Sequence, residues 1–314
     1  MSNTSARPGR TSDWPLPLPD EAELASHWGR DCLFAERPQA TRLFDLRSVR
    51  DVLCDGRTTS GHVTISTGDD FRNVDASEYT VGRNTEGHAP DLAPERIEPR
   101  RVLEFLRAGS SLILPNVQEY DHGVRRICRA VQARTGRPVE ALAFLSPPGK
   151  GALPLHQDRV DVIVLQTAGI KHWQIFEHFP GQEGRGPVRK PQGAEPAYRF
   201  TLTPGDVCYM PANWPHRTRS GEDWSLHISI SVSPIRLHRI LDDSFHRALA
   251  DIPEEDFHPA WDGSMEDPSP IDRAVENLSR TMMKASDDWN VRPAEAYRTH
   301  DEIAEVLGIE DASD

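Results

Sequence analysis

An imidazole and a carboxylate stand two residues apart in an otherwise apolar stretch, Leu153–Val162, LPLHQDRVDV. In a strand, residues i and i+2 project to one face, so His156 and Asp158 point the same way. Their neighbours Leu153, Leu155, Val162, Ile163 and Val164 belong in a core. Burying both polar groups without a partner costs several kcal/mol, and a divalent cation bound to both removes that cost. A third ligand follows in GDVCYMPANWPH, where His216 comes directly after a proline-flanked turn. Two histidines and one carboxylate with the remaining positions open form the facial triad of non-haem Fe(II) oxygenases. A lone HxD is common by chance and most histidines are structural, so the joint occurrence with His216 carries the reading. Asp161 is out of phase with the ligand pair and is assigned a structural role.

These residues need strands to hold them. From 139 to 233 the chain reads as closely spaced strands separated by Gly/Pro turns: VEALAFLSPPG, ALPLHQDRVDVIVLQTAG, KHWQIFEH, YRFTLTPGDVCYMPANWPH and WSLHISISVS. Such spacing, rich in β-branched and aromatic residues, indicates a sandwich or barrel-like double sheet. Residues 179–197 are too rich in Gly and Pro for regular structure, and 68–99 read as a long surface excursion. Upstream lie short helical patterns over 21–60, a strand at HVTIST (62–67), a helix from Pro99 to Gly109, a buried strand at SSLILPN and a helix ending at Gly136. Beyond 234 the spacing is helical. The expected division is a flexible tail over 1–20, an oxygenase domain over 21–234 with core strands 139–233, and a helical region over 235–314 that is a candidate for dimerisation.

The chain has 314 residues and a net charge of −13, from 36 basic and 49 acidic side chains. Direct binding of nucleic-acid phosphate needs a basic surface, so none is expected. An acidic surface suits a basic polypeptide partner but also any soluble protein. Cys32, Cys54, Cys128 and Cys208 have no metal-binding spacing and read as reduced thiols. No stretch approaches the roughly 20 apolar residues of a membrane span, and the expectation is a cytoplasmic protein.

The segment LAFLSPPGKGALPLHQDRVDVIVLQTAGIKHWQIF (142–176), with TLTPGDVCYMPANWPHRT and SLHISIS, resembles the JmjC-type, cupin-fold Fe(II)/2-oxoglutarate oxygenases, in their ribosomal-oxygenase branch. The similarity extends upstream and covers roughly residues 20 to 235. It implies a mainly β fold with flanking helices: a double-stranded β-helix (cupin or jelly-roll) core, helical N-terminal elements and a helical C-terminal appendage. It implies that His156, Asp158 and His216 bind Fe(II), with 2-oxoglutarate and O2 as cosubstrates. Lys171 falls where the branch pairs a cation with the distal carboxylate of 2-oxoglutarate, and a buried dicarboxylate does need a fixed cation. Ser231 matches a hydroxyl that helps hold the cosubstrate. Ser229 and His227 share its strand face, so either serine fits that role and His227 lines the pocket or packs in the core. Gln166, Trp173 and Trp214 read as core or pocket wall. Leu142 and Phe144 stand where Asn and Tyr are common, which makes the substrate side more apolar than the family pattern.

The implied reaction is hydroxylation of an unactivated C–H, on a side chain of a protein or peptide such as a ribosomal protein, by a homodimer. The alternatives are a tailoring hydroxylase of a small metabolite or biosynthetic peptide, a metallo-cupin that uses no 2-oxo acid, and a non-catalytic metal-binding cupin.

Overall fold

The computed structural model describes residues 16–68, 72–81, 95–182 and 184–234, together with two helical positions, 276 and 279. The expected C-terminal helices and most of the expected tail lie outside the described residues. Contacts divide the chain into two units, 1–130 with 139–232 and 131–138 with 233–314. The first unit carries both sheets. In the second, the Ser233 N–H donates to the Pro138 carbonyl at 2.9 Å.

The larger sheet has seven strands: β1 (Leu33–Glu36), β2 (Thr64–Ser66), β5 (Ser111–Leu114), β6 (Val139–Ser146), β8 (Asp161–Ala168), β12 (Asp206–Met210) and β14 (Ser225–Val232). Their order is β1-β12-β8-β14-β6-β5-β2. The smaller sheet orders β10 (Gly186–Pro187), β7 (His156–Gln157), β13 (His216–Ser220), β9 (Lys171–Ile175) and β11 (Tyr198–Leu202). Pairing in both is antiparallel. A short pair, β3 (Thr80–Val81) with β4 (Arg96–Ile97), stands apart. The two large sheets pack face to face as a jelly roll.

Periodicity explains the layers. Val162, Val164, Cys208 and Met210 from the seven-stranded sheet pack with Trp173, Ile175 and Leu202 from the five-stranded one. Residues opposite one another across an antiparallel pair share a face. Ser229 opposite Val164 and Ser231 opposite Val162 therefore also point between the sheets, with His227 in the same phase. β14 lies between β8 and β6, and all eight of its residues are buried.

Helices α1 (Glu21–His27), α2 (Leu46–Cys54), α3 (Ala76–Tyr79), α4 (Pro99–Arg107) and α5 (His122–Thr135) flank the sheets. Asp20 and Asp45 cap α1 and α2 by accepting from free N-terminal amides. Pro99 opens α4, and Gly109, at φ 98°, takes the left-handed conformation just past its end.

The structure corrects the sequence reading in three places. The run 152–168 is not one strand: β7 and β8 belong to different sheets, and the chain crosses between them at Asp158–Val160. β9, which starts at Lys171, is separated from β7 by β13. Residues 186–187 of the Gly/Pro-rich insertion form β10 and pair with β7, because an edge amide next to the buried His156 strand needs a partner. Residues 33–36, read as part of a helical and turn region, form β1 and extend the larger sheet.

Candidate metal and cosubstrate site

His156 and His216 are direct partners across the β7–β13 pair, so their rings project from one face, with centroids 4.2 Å apart. Asp158, just beyond β7, turns its carboxylate into the same space. Its Oδ2 lies 3.7 Å from His156 Nε2 and 3.9 Å from His216 Nε2, and the three ligand atoms are all within 4.8 Å of one another. The backbone holds this turn, since the Asp158 carbonyl accepts from Asn213 N–H at 2.7 Å. Asn213 has φ 62°, a conformation Asn tolerates better than most residues.

Each imidazole is oriented by its other nitrogen. His156 Nδ1 donates to the Pro154 carbonyl at 2.8 Å and His216 Nδ1 to the Trp214 carbonyl at 3.0 Å. That arrangement leaves both Nε2 lone pairs facing Asp158, the pattern of metal-ligating histidines. Burial, reinforced by His156, holds the His216 pKa down to about 4, so its imidazole is neutral at pH 7. The donor set of two imidazoles and one carboxylate fits a divalent cation with open positions. The outer oxygen of Asp158 faces Arg185 Nε at 3.8 Å, on the exposed segment next to β10.

Lys171 is fully buried. Its Nζ donates to Ser146 Oγ at 2.8 Å, and Ser111 Oγ donates to that hydroxyl at 3.2 Å. Burial pushes its pKa down to about 7. An ammonium placed among hydroxyls, with no carboxylate pairing it among the described residues, is an unfinished arrangement that a carboxylate ligand completes. Trp173, two residues along β9 on the same face, stacks against His216 at 5.9 Å and meets the edge of His227 at 5.5 Å. His227 lies flat on Phe144, with centroids 5.0 Å apart and planes 6° from parallel. Burial, Lys171 and His216 together hold its pKa well below the usual imidazole range.

The structure thus brings His156, Asp158, His216, Lys171 and His227 into one neighbourhood between the sheets. Ser229 and Ser231 face inward from the same strand but farther along it. Gln166 turns away from that set: its amide donates to Ala168 and Gly169 carbonyls and to Ser225 Oγ, which ties the β8–β9 turn. Trp214 is half-buried at the edge of the inter-sheet core. Asp161 is structural, accepting from Tyr209 Oη at 2.8 Å and Ala212 N–H at 3.3 Å. Sequence reasoning missed Ser146 and Arg185. Ser146 had a weak signal, a hydroxyl at a strand end before PPG; Arg185 had none, because its approach to Asp158 depends on β10.

Comparison with known proteins agrees with this architecture. Residues 114–240 match the JmjC domain family, and 193–303 match the AraC-like ligand binding domain. Ribosomal oxygenase 1 of Danio rerio is 27% identical over 241 residues, covering 74% of this chain and 42% of that protein. A protein of Dictyostelium discoideum named bifunctional lysine-specific demethylase and histidyl-hydroxylase NO66 is 31% identical over 171 residues, 51% of this chain and 32% of its own length. The chain therefore spans less than half the length of these relatives. A crystal structure of E. coli YcfD superposes with a TM-score of 0.50 at 15% identity, covering 85% of this chain and 67% of the other, which shows a shared fold.

Proposed function

We propose that this chain, whose residues 114–240 are a JmjC domain, is an Fe(II)- and 2-oxoglutarate-dependent oxygenase that hydroxylates a side chain of a protein or peptide. The observation that carries the reading is the pairing of an open two-histidine, one-carboxylate site with a buried lysine that has only hydroxyl partners. A metal site alone fits many cupins. A fixed buried cation beside it fits a cosubstrate with a second, distal carboxylate.

His156, Asp158 and His216 would hold the iron, with their Nε2 atoms and a carboxylate oxygen turned toward one another. When bound, iron and 2-oxoglutarate supply the oxidation: R–H, O2 and 2-oxoglutarate become R–OH, succinate and CO2. Lys171, steadied by Ser146, takes the distal carboxylate and sets the reach of the 2-oxo acid toward the metal. Binding that carboxylate restores the charged ammonium, so above pH 7 cosubstrate binding takes up a proton. Trp173 and Phe144 keep the space between lysine and metal dry, which strengthens both contacts. None of the three metal ligands transfers a proton.

A protein substrate is supported by the relatives named for ribosomal and histidyl oxygenation and by the net charge of −13, which suits a basic polypeptide. Hydroxylation, rather than the demethylation in the second relative's name, is the reading that the sequence resemblance favours. His156→Ala, Asp158→Ala and His216→Ala are each expected to abolish Fe(II)-dependent succinate formation, with and without substrate. Succinate formed at the wild-type rate by any of them sinks the assignment. Mass spectrometry of ribosomal proteins from a deletion strain and its parent separates the two chemistries: a hydroxylase leaves one added oxygen, a demethylase removes a methyl group.

A further inference from the structure

The metal site opens to solvent on the Asp158 side. The Asp158 side chain is 24% exposed, against 10% for His156 and 7% for His216, so a substrate approaches past the aspartate. Two arginines stand at that mouth. Arg159 follows Asp158 directly in the chain, and Arg185 brings its Nε to 3.8 Å from Asp158 Oδ1. They meet at one step of the backbone: a Cβ on Gly184, the residue before Arg185, would stand 3.1 Å from Arg159 Nη2. Gly184 has φ 125°, a conformation side chains rarely adopt, so the space that Arg159 takes stays clear. The step is anchored from below, where the buried Gln157 donates its amide to the Gly184 carbonyl at 3.0 Å and to the Gln182 carbonyl.

Neither guanidinium is satisfied in this place. At 3.8 Å the approach of Arg185 to Asp158 is too long for a hydrogen bond. Arg159 has no hydrogen bond or ion pair among the described residues. Arginines elsewhere in the same fold do have close acceptors: Arg50 on Asp51 at 2.6 Å, Arg101 on Glu98 at 2.8 Å and Arg217 on Gln174 at 2.8 Å. Asp158 cannot serve both arginines, because its carboxylate also faces the two imidazoles. Nor is the acidic net charge a property of the chain that builds the site. Residues 235–314 hold 20 acidic and 8 basic side chains, which leaves 29 and 28 in residues 1–234.

We propose that Arg159 and Arg185 are specificity-determining residues that take a carboxylate of the protein or peptide substrate, an Asp or Glu side chain near the residue being hydroxylated. Guanidinium forks match a carboxylate in charge and in geometry, and a cationic side chain in the same place meets like charge. This inference rests on the oxygenase reading and adds a substrate class to it. The net charge of −13 bears on the polypeptide partner as a whole, the two arginines on the few residues that flank the modified one.

The test uses full-length Fe(II)-loaded protein, 2-oxoglutarate and three pools of synthetic heptapeptides. Each pool carries every amino acid at the centre, with Glu, Gln or Lys fixed two positions to either side. Mass spectrometry reads the fraction of each pool that gains one oxygen. The wild type is expected to oxidise the Glu pool about fivefold more than the Gln pool, the scale of a partly exposed ion pair, and the Lys pool least. The double variant Arg159→Glu, Arg185→Glu is expected to reverse that order, an outcome that a purely structural role does not produce. If it does not fold, Arg159→Gln and Arg185→Gln singly are each expected to cut the preference by about half. Equal oxidation of the Glu and Gln pools by the wild type, or an unchanged preference in the variants that fold, overturns the proposal. A wild type that adds oxygen to no pool instead overturns the peptide-oxygenase reading on which it rests.

Discussion

Lys171 carries a cost that the fold does not recover by itself. Its ordinary pKa of 10.5 falls to about 7 through burial. Between those values the unfolded chain holds a proton that the folded chain releases, so the stability of the ligand-free protein rises with pH over that window. Below pH 7 the lysine is charged in both states and the full burial penalty remains. Lys171→Met is therefore expected to raise the ligand-free melting temperature at pH 7 by roughly 2–4 °C, the equivalent of about 1 kcal/mol in a domain of this size. The gain should shrink by pH 9, and the variant should lose 2-oxoglutarate-dependent turnover. Scanning calorimetry of both proteins at the two pH values checks this; a lower melting temperature for the methionine variant at pH 7 would mean that the ammonium is satisfied by Ser146 alone. Residues of this kind were partly legible in the sequence. The ligand types at His156, Asp158 and His216 could be read from their alternation and from the proline-flanked turn, whereas the environment of Lys171 could not.

The elements aim these residues, and the turn from β8 to β9 is the most constrained of the joints. Gly169 has φ 62°, and a Cβ there would stand 1.9 Å from the Trp224 carbonyl oxygen. No side chain fits without moving the strand that delivers Lys171 two residues later. Gly169→Ala is expected to cost roughly 3 kcal/mol or more. Gly181, at φ 77° with open space around it, is the control and should cost about 1 kcal/mol. Urea unfolding midpoints compare the two, and equal losses would refute the steric argument. Strand existence over 139–233 was readable from the turn-bounded apolar runs. The break between β7 and β8 was not, because Leu153–Ala168 keeps an apolar pattern across it. What ends β7 is the turn held by Asn213 and the capture of Asp161 by Tyr209, and both partners lie about fifty residues away in sequence.

At the scale of the molecule, the acidic net charge and the helical spacing beyond residue 234 lead to expectations that concern partners. The expected assembly is a homodimer through 235–290, which lies outside the described residues apart from positions 276 and 279. Multi-angle light scattering at micromolar concentration should report twice the 35.2 kDa chain mass, and a monomer would overturn it. None of the described helices is long and apolar enough to cross a membrane.

The sequence by itself determined the chemistry on offer: two histidines and an aspartate in strand phase, a lysine after a glycine turn, and the β-rich run that holds them. These are local properties, set by side-chain type and the two-residue period of a strand. Tertiary structure alone decided which groups meet. His156 opposes His216 because β7 pairs with β13, and Lys171 finds Ser146 because the two sheets close on each other. His227 meets the edge of Trp173 because β14 and β9, in different sheets, face each other across the core, and the two-residue period of either strand says nothing of which positions meet.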